Sequence, residues 1–178
     1  MNRKVIVPVV LVAVLGLLAA SLNLSAAPIL RGRQRTASIP DPTRSLKGIR
    51  QVRLNIQPIA ATVVEAGLTI PIITKQWIDR LKSSGFELVD DASAPLLSLF
   101  VNEIGDPAIP NAKGYVMTLH VIQTVKIERM DLNVNVPTFV YMIAGLEPQD
   151  KLADSVKSTA TSMIDIFIRS VQAADAAE

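Results

Sequence analysis

The chain has 178 residues, a formal charge of +2 and a hydrophobic share of 49%. It has no cysteine and one histidine. That excludes disulfides, thiol catalysis and cysteine-ligated zinc, and leaves any imidazole chemistry to a single residue. The eight glycines are scattered, so no glycine-rich phosphate loop exists.

Arg3 and Lys4 precede an uncharged apolar block at residues 5–20, and a small and polar stretch follows at residues 21–27. This is the layout of a secretory signal peptide. The block reaches the roughly 20 apolar residues that span a bilayer only if Leu22 and Leu24 are counted. The sequence therefore predicts a signal peptide over residues 1–26, cut after Ala26, or the same segment retained as an anchor. A bacterial lipoprotein needs a cysteine at that cut, and none is present. The expected location is the periplasm or the exterior, or the inner membrane if the segment is kept. Membrane contact is then expected through residues 1–26 alone.

Residues 28–53 hold Arg31, Arg33, Arg35, Arg44, Lys47, Arg50 and Arg53 against Asp41, a local charge of +6 that residues 54–178 balance. Such a leader reads as an electrostatic arm for an anionic envelope surface or as a solvated linker. No aromatic residue is interleaved with it, so nucleic acid is not an expected partner. Pro40 and Pro42 favour extended neighbours. Residues 27–45 are predicted as a flexible basic linker, and residues 46–173 as one folded domain.

A first strand is predicted at 51–57, where Val52, Leu54 and Ile56 alternate with polar residues. A helix follows at 70–84, with Thr69 as N-cap, Pro71 in the first turn, and Ile70, Ile73, Trp77 and Leu81 on one face. Gly85 stops it. A short strand at 86–89, a turn at Asp90 and Asp91, and a strand at 96–104 come next; the two strands are separate or form one bent unit. Gly105 to Gly114 reads as a polar loop. The longest strand, 115–129, puts Tyr115, Met117, Leu119, Val121, Val125 and Ile127 on one face, interrupted by Gln123. Thr118, His120 and Thr124 fall on the other face, which is expected to be wet. A partner strand is predicted at 138–144 and a second helix at 148–173, with residues 174–178 as a frayed tail. The fold class is α+β: a two-layer sandwich of a mostly antiparallel sheet of four to five strands, with two helices on one face.

No residue set meets the requirements of a catalytic, cofactor or metal site. His120 is alone and reads as an exposed or edge histidine. Asp90 and Asp91 are neighbours in a turn, whereas acid–base pairs face each other across a cleft. Glu103 and Asp106 suggest at most a loose cation contact beside Gly105. Trp77, Met117, Met142 and Met163 read as core. Tyr115 and Tyr141 line a groove if their strands are neighbours.

The ordered runs LKGIRQVRLNI, AGLTIPIITKQWIDRLKSSGFELVDD, APLLSLFVNEI and GYVMTLHVIQTVKIER, with the closing helix, resemble a group of small exported bacterial proteins of unknown function. The resemblance covers residues 46–173. The group has a tryptophan-containing segment before its last helix, where this chain has Thr138, Phe139, Val140 and Tyr141. The element order is also similar to that of the lipopolysaccharide-assembly lipoprotein and of the amino-terminal domain of the Tol-Pal propeller protein. Both are interaction modules, and the missing cysteine argues against an equivalent of the first. The resemblance implies a bacterial envelope, and with the absence of a site, the exposed sheet face and the basic leader it predicts a non-catalytic, cofactor-free protein that binds another protein or an envelope polymer. A small-molecule or lipid-binding module, using a groove beside the loop at 105–114, is the alternative, and an enzyme with dispersed carboxylates comes last.

Overall fold

The computed structural model describes residues 39–65, 67–105 and 111–177. The expected signal segment, residues 27–38 of the expected linker, Asp106 and Glu178 lie outside the described residues.

In chain order the elements are α1 (Asp41–Arg44), β1 (Gln51–Ile56), α2 (Ala61–Glu65), α3 (Ile70–Ser83), β2 (Glu87–Leu88), β3 (Leu96–Ile104), β4 (Ala112–Ile127), β5 (Leu132–Pro148) and α4 (Leu152–Ala176). The strands form one sheet in the order β2-β1-β3-β4-β5. β1 pairs in parallel with β2 and with β3, and β3, β4 and β5 pair antiparallel. The sheet is therefore mixed, with its antiparallel part much the longer. Parallel neighbours need a crossover, which α2 and α3 supply between β1 and β2. β2 and β3 are not one bent unit, because they lie on opposite sides of β1.

α3 forms where the spacing of apolar residues predicts it. Thr69 is extended at the N-cap position, and Pro71 sits in the first turn. The Thr69 side chain makes no capping hydrogen bond. Gly85, at φ +84°, ends the helix, with Phe86 N–H donating back to the Leu81 carbonyl at 3.0 Å. Ile73, Trp77 and Leu81 are buried. They meet the α4 stripe of Leu152, Val156, Ala160, Met163, Ile164, Phe167, Ile168, Val171 and Ala174. Trp77 Nε1–H donates to the Ala160 carbonyl at 3.0 Å, so burial of the indole strands no donor. Both helices cover the sheet face carrying Val52, Leu97, Leu99, Val101, Tyr115, Met117, Leu119, Val121 and Phe139. Each fully buried side chain of this size contributes about 1.5–3 kcal/mol. Among the described residues no helix is long and apolar enough to cross a membrane.

β4 starts at Ala112, inside the expected loop at 105–114, because residues 112–114 pair with β5, and α4 starts at Leu152 rather than 148. The structure departs further from the expected boundaries at three places. First, β5 begins six residues before the expected Thr138 and ends four after Ala144. Pro137 reads as a strand breaker, but it sits at a β-bulge: Val121 pairs with Phe139 and Ile122 with Pro137, leaving Thr138 as the extra residue. Second, within the expected linker residues 41–44 form a helical turn, and Leu46 is fully buried. Gln123 holds it there: its Nε2 donates to the Ser45 carbonyl at 3.0 Å and to Thr138 Oγ1 at 2.6 Å. The apparent interruption of the β4 apolar face is thus the anchor for the leader. Third, α4 runs on to Ala176 rather than fraying at 174. Ala174 is buried, Gly48 N–H donates to Asp175 at 2.9 Å, and Arg50 pairs with Asp175 at 2.8 Å.

Candidate functional site

The residues singled out for chemistry do not converge. His120 points outward as expected, but it lies on a central strand and is half-buried, so it is neither an edge nor a freely exposed histidine. Its ring packs on Phe100 at 4.9 Å, and it stands between Ser98 on β3 and Val140 on β5. Asp91 accepts the Ser93 N–H at 2.9 Å and the Ser93 hydroxyl at 2.8 Å, which is turn chemistry. Those bonds hold its carboxyl below the ordinary carboxylate value. Glu103 is engaged by Lys113 at 3.2 Å and by the Thr62 hydroxyl, which puts an ammonium where a cation would need to sit. Among the described residues no group of three or more His, Asp or Glu side chains is placed to hold a metal.

Trp77, Met117 and Met163 are core, but Met142 is 65% exposed. It misreads as core because FVYMIAGL is apolar on both parities, and only the packing reveals which parity is covered. Tyr115 and Tyr141 lie on neighbouring strands and share the helix-covered face. Tyr115 is buried, its hydroxyl 3.0 Å from Thr159 Oγ1, with its ring packed against the backbone of Gly145. Neither of them borders the concavities described below.

The basic leader is used internally where it is described. Arg44 pairs with Asp41 at 3.1 Å and Arg50 with Asp175 at 2.8 Å. Lys47 Nζ donates to the Ala177 carbonyl and Arg53 Nε to the Ala94 carbonyl, both at 3.1 Å. Two of these hold the carboxyl end of α4, the end of a helix that favours positive charge. Arg31, Arg33 and Arg35 lie outside the described residues. A shallow concavity of about 390 Å³ opens beside Lys47, Arg50, Ser93 and Pro95, and a smaller one of about 110 Å³ beside Leu68, Ile72 and Lys157.

The distinctive surface is the sheet face that the helices leave open. Register places its residues in rows across β3, β4 and β5: Ser98–His120–Val140, Phe100–Thr118–Met142, Asn102–Val116–Ala144 and Ile104–Gly114–Leu146. On β1 the same face carries Gln51, Arg53 and Asn55. It therefore grades from polar at β1 to apolar at β5. Val140 is 51% exposed, Ile104 59%, and Met142 and Leu146 65%. The expected wet face is thus apolar along one side. Single exposed apolar residues are ordinary; a contiguous row of them is less so.

That row borders the end of the sheet. β5 has 17 residues, and among the described residues no strand pairs with its outer edge. No charged residue occurs from Leu132 to Leu146. Edge strands are ordinarily blunted by charge, brevity, proline or a bulge. The opposite edge, β2, is two residues long. β5 has a proline and a bulge at Pro137 and Thr138, where Ser45 Oγ also lies 3.4 Å from the Thr138 carbonyl, and a second proline as its last residue, Pro148. Between them, among the described residues, no strand pairs with the outer side of residues 139–147.

No family model and no curated protein matches the chain. Solved structures similar to it include a minor lipoprotein from Acinetobacter baumannii, 11% identical, covering 71% of this chain and 93% of that one, with a TM-score of 0.41. Another is the rare lipoprotein B from Shewanella oneidensis, 14% identical, covering 69% of this chain and 94% of that one, with a TM-score of 0.38. These structural neighbours are bacterial lipoproteins, whereas this chain has no cysteine on which to carry a lipid.

Proposed function

We propose that this chain is a non-catalytic protein-binding module of the bacterial cell envelope, which takes an extended segment of its partner onto the outer edge of β5. One observation carries the reading: a long edge strand, uncharged from Leu132 to Leu146 and with no strand on its outer side among the described residues, continuous with an apolar stripe on the open sheet face. An exposed edge offers a row of backbone donors and acceptors, and an added strand satisfies them. The side chains of Val140, Met142 and Leu146 then pack against alternate side chains of the arriving strand. The leader at residues 1–26 supports export, and among the described residues the carboxylates and the one histidine do not gather into a cluster, which supports a non-catalytic reading. The described concavities are shallow and lie away from this surface, which favours a macromolecular partner over an enclosed small molecule.

The test is affinity purification of the tagged full chain from cross-linked cells, beside the variant Met142→Lys. The reading predicts a stoichiometric envelope protein on the native chain and its loss from the variant, because a lysine there puts a charge into the joint. Equal recovery from both would refute the site. Measuring the mass of the recovered chain also decides whether residues 1–26 are removed.

A further inference from the structure

We infer that the strand added to β5 is β5 of a second copy, paired antiparallel about a two-fold axis at Ile143; this rests on β5 being the contact edge. The usable edge is bounded at both ends. At the near end Thr138 is the extra residue of the bulge, and Pro137 beside it has no N–H to give. At the far end Pro148 has no N–H to give. Between them lie residues 139–147, whose midpoint is Ile143.

An antiparallel pair of identical strands centred on Ile143 uses this whole window. It sets Val140 opposite the second copy's Leu146, and Met142 opposite the second copy's Ala144. Directly opposed residues share a face, so the open faces of the two sheets become continuous. The most exposed apolar side chains of β5 then cover one another. Shifting the axis by one residue in one direction puts Leu146 against the bulged Thr138. Shifting it the other way puts Val140 against Pro148. The uncharged stretch from Leu132 to Leu146 means that the pairing opposes no like charges across most of its length. Glu147, the one charge in the window, is turned to the helix-covered face, where the Ser155 hydroxyl donates to it at 2.8 Å.

Area sets the strength. Nine residues give a joint about 30 Å long. A single sheet joint of that length buries well under the ~800 Å² per partner of stable complexes. The pairing is therefore weak and concentration-dependent, and covalent trapping is the way to read it. The native chain has no cysteine, so introduced ones report cleanly.

The experiment uses the full chain carrying Val140→Cys and Leu146→Cys together, treated in intact cells with a short thiol-to-thiol cross-linker. The double variant is expected to give a species of twice the chain mass. Each single variant is expected to give none, because like positions then sit about 20 Å apart along the antiparallel pair. Adding Met142→Lys should lower the yield about tenfold, as a charge in a sheet joint opposes pairing. A double variant that stays monomeric overturns the inference, and so do single variants that cross-link as well as the double. If the double variant stays monomeric while Met142→Lys still abolishes capture of a different protein, the contact edge stands and the second copy is wrong. If neither effect is seen, both readings fall.

Discussion

The two faces of the sheet are made by the same strands and behave oppositely. Met117 on β4 and Met142 on β5 illustrate it: the first is fully buried under the helices, the second 65% exposed on the bare side. Residue type does not separate them, since both are methionines on neighbouring strands of one sheet. What separates them is parity along the strand and the presence of α3 and α4 on one side only. An apolar side chain on the covered side stabilises the fold; one on the bare side adds little to it and is free to serve a contact.

The sharpest way to break this comparison is to truncate the same residue type on each face. Met117→Ala should cost about 2–5 kcal/mol in urea unfolding, because it leaves a cavity in a packed core. Met142→Ala should stay within about 0.5 kcal/mol. Comparable losses would mean that the bare face is packed against something in the folded chain. Next in size is Gly145→Ala. A Cβ there would lie 2.5 Å from the Tyr115 ring, so the substitution should cost about 1–3 kcal/mol by overpacking. Combining it with Tyr115→Leu should recover part of that loss in the same assay, a coupling expected of residues in contact.

Smaller effects are expected where the leader and the tail are tied to the covered side. Gln123→Leu removes the bonds to Ser45 and Thr138 and should cost about 1 kcal/mol. Faster amide hydrogen exchange at residues 44–47, with the rest of the sheet unchanged, would register it. Asp175 gives the smallest and most conditional effect. The Gly48 N–H, and then Arg50, hold its carboxyl below the ordinary value of 3.8. A carboxyl lowered on folding stabilises above its unfolded pKa, and that stabilisation is lost as the pH falls through the folded value. The native chain should therefore lose stability relative to Asp175→Asn only below about pH 3.8. Acid titration followed by circular dichroism reads the difference.

How much of this was legible in the sequence follows from what each residue's neighbours could reveal. β3 appears at Leu96–Ile104 as expected, and α3 ends within one residue of its expected limit, because local alternation and the Gly85 stop contain the information. The parallel pairing of β1 with β3 is non-local and left no local trace. Pro137 looked like a boundary because a bulge is visible only when the opposing strand is known. Gln123 looked like a flaw in an apolar face because its partners, Ser45 and Thr138, are 78 and 15 residues away. The basic leader looked free because Asp175 lies more than 120 residues from Gly48 and Arg50 along the chain. The proposed contact surface did leave a signal, the doubly apolar run at residues 139–146. A half-wet strand alternates, so a run without alternation has a second face in need of cover.

The most direct test of β5 and its open face as the contact surface is site-specific photo-cross-linking in intact cells. One photoreactive residue replaces Met142 at the edge, and another replaces Lys82 on the solvent side of α3. A discrete protein adduct from position 142 and none from position 82 is the predicted result. Equal adducts from both positions, or none from 142, would contradict it.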